Sequence, residues 1–309
     1  MAKAGLKKKV ILIVTIVLLS AFLLWIGVSI GIYNMYFGGR FETNRATMNH
    51  VYEFDGLEST RYEFVSDKGQ TIVGYMYSAG SEQKAIIVFS HGYGGGGHNS
   101  YMKVIDYLAH NGFYVFAYDA TGNDESGGKG IGGVPQGLID LNYTISFVEE
   151  SGYFPDMPIC LFGHSWGGYS ACNVLKYHPE VKAVVECSGP CSSTDLIEGG
   201  GKQVIGPAVY VVLPVIKVYE KVLFGEYAEC SALDGFAATD AVVMVIHSSD
   251  DDIVPIEYGY DIYYANYKDD PRFVFNRLEG KGHNTYLNVD RNPELFGSIV
   301  DFYNRILSN

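Results

Sequence analysis

Five short runs in this chain are apolar almost without interruption: KAIIVFSHG (84–92), GFYVFAYDA (112–120), MPICLFGHS (157–165), VKAVVECSG (181–189) and AVVMVIHSS (241–249). A strand with one wet face alternates, whereas continuous apolarity over so few residues marks strands covered on both faces. Helix-like stretches separate them at 99–110, 135–151, 166–178 and 257–267, with another at 292–307 and a further strand at 272–278. Strands alternating with helices imply a mostly parallel sheet with helices on both faces. Ahead of them STRYEFVSDKGQTIVGYMYSAG alternates on either side of Asp67–Gly69 and predicts a hairpin. About fifty residues, Pro190 to Asp240, interrupt the rhythm. So long an insertion predicts a lid, or else one or two extra packing helices.

Residues 10–33, VILIVTIVLLSAFLLWIGVSIGIY, carry no charge and no proline. About 20 apolar residues suffice to cross a bilayer core. A cleaved signal peptide is the rival, but its apolar region is usually about 7–15 residues and ends at a small-x-small site that is not evident here. A retained anchor is the expectation. Lys3, Lys7, Lys8 and Lys9 before it would stay cytoplasmic under the positive-inside rule, placing the rest of the chain across the cell membrane. Trp25, Tyr33 and Tyr36 would then lie near the far interface.

The formal net charge of -13 argues against a nucleic-acid partner, which needs a surplus of Lys and Arg. Five cysteines, Cys160, Cys172, Cys187, Cys191 and Cys230, lack CxxC spacing, so neither a complete disulfide framework nor a zinc site is suggested. Small buried hydrophobes are one reading of them. A Cys187–Cys191 bridge is the alternative to test.

GHSWG places Ser165 between an apolar strand run and a helix-like run, the context in which G-x-S-x-G forms a nucleophile elbow. Gly163 and Gly167 fit that reading, since a Cβ at either place in so tight a turn would collide with its neighbours. A serine hydroxyl needs a base to take its proton and a carboxylate to orient that base. In this architecture the carboxylate and histidine follow the serine in that order, each near the carboxyl end of a strand. His283, after the run 272–278 and preceded by Gly280 and Gly282, is the candidate base. His247 reads as a strand-end structural histidine, and His50, His98 and His110 lack a matching carboxylate context. Asp250, Asp251 and Asp252 are all candidates for the acid; a solvated acidic loop or a hard-cation site is the other reading of that run. Oxyanion donors are expected from the backbone N–H of Trp166, after the nucleophile, and of Tyr93 in HGYGGGG. That glycine run lacks the Lys-Ser/Thr of a P-loop and the context of a dinucleotide fingerprint.

Together SHGYGGGG, YDATGNDESGG, GHSWGG, HSSDDDIVP and GKGHNTY, over about residues 60–308, resemble the α/β-hydrolase superfamily. Within it they are similar to the serine aminopeptidase (S33-like) and monoacylglycerol lipase-like branch. The resemblance implies an α/β-hydrolase fold with a mostly parallel central sheet, helices on both faces and a lid insertion, here behind an N-terminal transmembrane helix. It aligns His247–Pro255 with the family's acid loop and so implies Asp251 as the acid, with Ser165 as nucleophile, His283 as base, and Tyr93 and Trp166 at the oxyanion hole. Two positions depart from the family pattern: Ser248 replaces a glycine, and Asn123 stands where a second glycine is usual.

The implied chemistry is hydrolysis through an acyl-enzyme, requiring no cofactor and no metal. The expected organisation is a basic tail (1–9), an anchor (10–33), a link (34–59) and a hydrolase domain (60–309) with its lid at about 190–240. The expected substrate is a small-molecule or lipid-like carboxylic ester, acylglycerols included. Val211–Phe224 in the lid is apolar and tyrosine-bearing and would suit an acyl chain, or it is merely core. A serine peptidase of the same fold is the enzymatic alternative, and a tethered binding protein without turnover is the other.

Overall fold

The computed structural model describes residues 2–46, 48–80 and 82–308. Met1 of the basic tail, the side chains of residues 2–5 (Lys3 among them), Thr47 in the link, Ser81 and Asn309 lie outside the described residues. Eight strands form one sheet: β1 (Leu57–Val65), β2 (Thr71–Ala79), β3 (Ile86–Ser90), β4 (Tyr114–Asp119), β5 (Ile159–His164), β6 (Ala183–Cys187), β7 (Val242–Ser248) and β8 (Phe273–Leu278). Their order is β1-β2-β4-β3-β5-β6-β7-β8, with β2 antiparallel to both its neighbours and every other pair parallel. The alternating segment is thus the hairpin at one edge, and the continuous apolar runs are the interior strands.

Two apolar cores sandwich the sheet. Along β3, Ile86 and Val88 face one core while Ile87 and Phe89 face the other, as the two-residue side-chain period requires. Helices α2 (Met102–His110) and α9 (Pro293–Leu307) cover the second core. The buried residues of α9, Phe296, Ile299, Val300 and Tyr303, recur at one-face helical spacing. Helices α3 (Pro135–Glu150), α4 (Trp166–Asn173), α7 (Ala232–Ala237) and α8 (Tyr260–Tyr267) cover the first.

The long interval after β6 folds as α5 (Ser193–Ile205), α6 (Val209–Phe224) and α7. Three consecutive glycines, Gly199 to Gly201, lie inside α5, despite a helix cost of about 1 kcal/mol each relative to alanine. Two are there for close packing: a Cβ would come 3.0 Å from the Tyr258 ring at Gly199 and 2.5 Å from Val209 at Gly201.

The N-terminal helix α1 runs over Ala2–Phe37, longer at both ends than the apolar stretch, and its most apolar window is not buried by the domain. Its last turns are. Tyr33, expected near the far membrane interface, is 1% exposed, buried against the domain, and donates from its hydroxyl to Glu220 of α6 at 2.5 Å. Trp25 donates to the Val211 carbonyl at 2.8 Å. Beyond α1 the expected link is also tied down: Phe41 exchanges backbone hydrogen bonds with Gly122 and Asp124, and Arg40 reaches three carbonyls of the loop after β4. Asn123, at a departure from the family pattern, is buried in that loop with its amide donating to Ala120 and Thr121.

All five cysteines are free and buried, so Cys187 and Cys191 form no bridge. Cys187 ends β6 inside the second core, and it acts there as a small hydrophobe.

Candidate active site

The turn between β5 and α4 is held in a conformation few residues tolerate. Ser165 has φ 57° and ψ -117°, a strain of order 1–3 kcal/mol that surrounding contacts must offset. Its N–H donates to the Cys187 carbonyl at 2.7 Å and its carbonyl accepts from Tyr169 at 2.9 Å. The flanking glycines are steric requirements. A Cβ at Gly163 would lie 2.2 Å from the Gly167 carbonyl oxygen, and one at Gly167 would lie 2.0 Å from that of Ser90. Gly167→Ala is therefore expected to lower Tm by at least several degrees, read by thermal unfolding, because backbone on both sides would have to part. An unchanged Tm would mean that the elbow packs more loosely than this.

Among the three carboxylates the folded chain distinguishes sharply. Asp251 is buried and its Oδ2 accepts from His283 Nδ1 at 2.7 Å. Its Oδ1 accepts the N–H groups of Ile253 and Val254, both at 2.9 Å. Asp250 instead turns to Ser248 and the Lys281 and Gly282 N–H groups, while Asp252 is exposed. Burial opposes the charged form of Asp251, yet hydrogen bonds and charges from His247 and His283 hold its carboxyl well below the usual range. A carboxylate that remains ionised fixes the imidazole with its proton on Nδ1, leaving Nε2 as the acceptor.

Ser165 and His283 line one cavity of about 360 Å³, with Gly92, Tyr93 and His164 among its other walls. No hydrogen bond joins the Ser165 hydroxyl to His283 here; in unliganded sites such bonds often tighten only when substrate excludes water. Trp166 is the first residue of α4, so its N–H is one of the orphan donors of a helix start. Its indole is pinned by a 2.7 Å hydrogen bond to the Val134 carbonyl. Among the described residues no acceptor takes the Tyr93 N–H. Gly92, beside it, sits so near the elbow that a Cβ there would lie 3.4 Å from that of Ser165.

Several residues around this site escaped the reading of the sequence. His247 is fully buried, with Nε2 at 2.8 Å from the Val254 carbonyl and 3.3 Å from Asp251 Oδ2. It braces Asp251 from behind as well as ending a strand. Burial would lower its basicity, but the Asp251 hydrogen bond and the Glu186 charge leave it raised. The i,i+4 spacing to Asp251 was the available signal. His164 and Tyr101 form a second brace: the Gly92 N–H donates to Tyr101 Oη at 3.0 Å, Tyr101 Oη meets His164 Nδ1 at 2.8 Å, and His164 Nε2 meets the His283 carbonyl at 3.1 Å. Burial pushes His164 down to about 3, so it is neutral at physiological pH, accepts at Nδ1 and donates at Nε2. The chain ties the Tyr93 loop to the backbone of His283 beneath the elbow.

Tyr101→Phe removes both bonds of that tie while leaving the ring. If Ser165 and His283 act as nucleophile and base on an ester, kcat is expected to fall about 10- to 100-fold with KM nearly unchanged, the size of a small displacement of a preorganised group. Equal kcat in the two proteins would assign Tyr101 to packing alone.

Two other histidines, set aside as candidate bases, have carboxylate partners of their own away from the site. His98 meets Asp119 at 2.7 Å in a buried pair, and His110 meets Asp106 at 2.9 Å. Neither lines the cavity that holds Ser165. His98 closes a network with Tyr77, at 2.7 Å, that secures the loop after β4.

Residues 81–233 match the family model described as serine aminopeptidase, S33. No curated protein sequence is significantly similar to the chain. Among solved structures, it is similar to an esterase from Pyrococcus furiosus at 19% identity, with a TM-score of 0.66 over 87% of this chain and 98% of the other. A carboxyl esterase from Tuber melanosporum is 17% identical, with a TM-score of 0.59 over 85% and 89% of the two chains. An acylaminoacyl peptidase from Pyrococcus horikoshii is also 17% identical, with a TM-score of 0.60 over 82% of this chain and 42% of that one. At such identities the likeness is one of fold.

Proposed function

The chain belongs to the α/β-hydrolase superfamily, on its S33 serine aminopeptidase-like branch, and on that premise we propose that it is a membrane-anchored serine hydrolase of carboxylic esters. The observation that carries the reading is the placement of Ser165 on a strained elbow with His283, oriented by Asp251, on the wall of the same cavity. In the proposed reaction the Ser165 Oγ attacks the ester carbonyl carbon while His283 Nε2 takes its proton. The N–H groups of Tyr93 and Trp166 hold the oxyanion. His283 returns the proton to the departing alkoxide, and water then repeats the sequence to release the acid and restore the serine. No metal or cofactor enters these steps.

The proposed organisation follows the sequence: a basic tail (1–9), an anchor (10–33), a link (34–59), and a hydrolase domain (60–309) with its cap at about 190–240. The helix Leu6–Phe37 is long and apolar enough to cross a bilayer. Lys7, Lys8 and Lys9 at its start favour a single-pass orientation in the cell membrane with the domain on the extracytoplasmic side.

Peptide hydrolysis is the second reading, favoured by the description of the matched family model and by the fold likeness to an acylaminoacyl peptidase. A series of nitrophenyl esters of increasing chain length, assayed beside aminoacyl anilides, separates the two. We expect ester turnover at least 100-fold above any anilide turnover. The reverse ranking would make the chain a peptidase, and no Ser165-dependent turnover of either would leave a binding protein.

A further inference from the structure

A second cavity, of about 240 Å³, lies between the end of α1 and the cap helices α5 and α6. Its walls are almost wholly apolar, with Ile32 and Phe37 from α1, Ile197 from α5, and Val212 and Ile216 from α6. One residue, Tyr93, lines both this cavity and the one that holds Ser165. Its ring stands edge-on to Phe41 at 5.0 Å and tilted against Phe37 at 5.5 Å, and its hydroxyl donates to the Tyr36 carbonyl at the last turn of α1. The membrane helix is thereby joined directly to the loop expected to hold the oxyanion.

The depth of this arrangement follows from helix geometry. Counting about 20 residues from Val10, a bilayer core ends near Ser29. Helix α6 runs alongside α1, with Val211 at Trp25 and Glu220 at Tyr33. Its first turn is therefore about four residues, or ~6 Å, inside that boundary. Tyr210, Val211, Val218 and Val222 of α6 and Val204 at the end of α5 are exposed large apolar side chains. Of these, Tyr210 and Val211 fall in the first turn of α6, inside that boundary and beside the spanning helix, which fits burial about 5–10 Å into the headgroup and acyl boundary; Lys217 and Lys221, further along α6 and exposed, lie on the headgroup side of it.

From these observations we infer that α1 is one wall of the substrate site: the cap hairpin α5–α6 is seated in the membrane interface beside it, and the cavity between them receives the acyl chain of a membrane lipid ester whose carbonyl lies at Ser165. The chain passes the Tyr93 ring from one cavity to the other. At ~30 Å³ for each water-sized group the cavity has the volume of about eight such groups, the bulk of an acyl chain of about eight carbons. This inference rests on the ester-hydrolase and anchor readings above.

The test uses the full chain in phospholipid vesicles and an alkyl fluorophosphonate with a diazirine at the end of an eight-carbon chain. Ser165 Oγ displaces fluoride from phosphorus, and irradiation then marks whatever the chain end touches. The expected result is phosphonylated Ser165 with cross-links in residues 32–37 or 196–205. Labelled Ser165 with cross-links only on the outer rim of the catalytic cavity, such as Leu287 and Asn288, would overturn the inference alone. Absence of labelling would overturn the hydrolase reading and this inference with it. A variant guards against a probe artefact. Gly200 lines the cavity and a Cβ there meets nothing within 4 Å, and leucine suits a helix better than glycine, so Gly200→Leu fills the space without breaking α5. The ratio of octanoate to acetate ester kcat/KM is expected to fall about tenfold, since several methylenes lose their burial. An unchanged ratio would show that the chain lies elsewhere.

Discussion

Ser165→Ala is expected to lower kcat on an activated ester by ~10⁵–10⁶-fold while leaving Tm within a few degrees. A nucleophile that acts as one unit with its base takes nearly the whole chemical advantage with it, and what remains is binding and oxyanion stabilisation. Alanine keeps the same backbone, so the elbow persists: the bonds at 2.7 Å to Cys187 and 2.9 Å from Tyr169 are made by main chain. Steady-state kinetics together with thermal unfolding would check both halves. A loss of activity accompanied by unfolding would trace the loss to the fold rather than to the hydroxyl.

Asp251→Asn is the second large effect, with kcat expected to fall by about 10⁴-fold. An amide in place of the carboxylate no longer offers an anion to accept the Nδ1–H hydrogen bond, and its NH₂ favours the wrong tautomer of His283 although the geometry survives. The same residue couples activity to acid stability. Its folded carboxyl titrates below the usual value, so its contribution to stability is complete above the unfolded value near ~3.9 and is lost as pH falls through the depressed folded value. Denaturant titrations at pH 6 and below 4 should show the parent protein losing more stability than Asp251→Asn. Parallel losses would mean that the depression does not come from this carboxylate.

What the sequence disclosed was local. Continuous apolar runs marked the interior strands because burial on both faces leaves no place for polar alternation, and GHSWG stood out because its glycines suit a tight turn, where a Cβ at either would lie 2.2 or 2.0 Å from backbone oxygen. The separation of Asp251 from Asp250 and Asp252 was not local. It depends on which carboxylate the turn after β7 aims at an imidazole 32 residues further along, and the composition of DDD is silent on that. The buried partner of His98, Asp119, was hidden for the same reason, lying 21 residues away in sequence. The docking of α1 was least visible of all. Tyr33 and Glu220 are 187 residues apart, and an apolar helix long enough to span a bilayer carries no mark of the last turns, Trp25 to Phe37, that dock onto the domain.

The most direct measurement is the intact mass of the full chain after treatment with a simple fluorophosphonate, followed by peptide mapping of the adduct. The account predicts a single phosphonate on the peptide containing Ser165, absent from Ser165→Ala and formed at least 100-fold more slowly in a His283→Ala variant. A folded protein that takes no adduct, or takes it on a different serine, would contradict it.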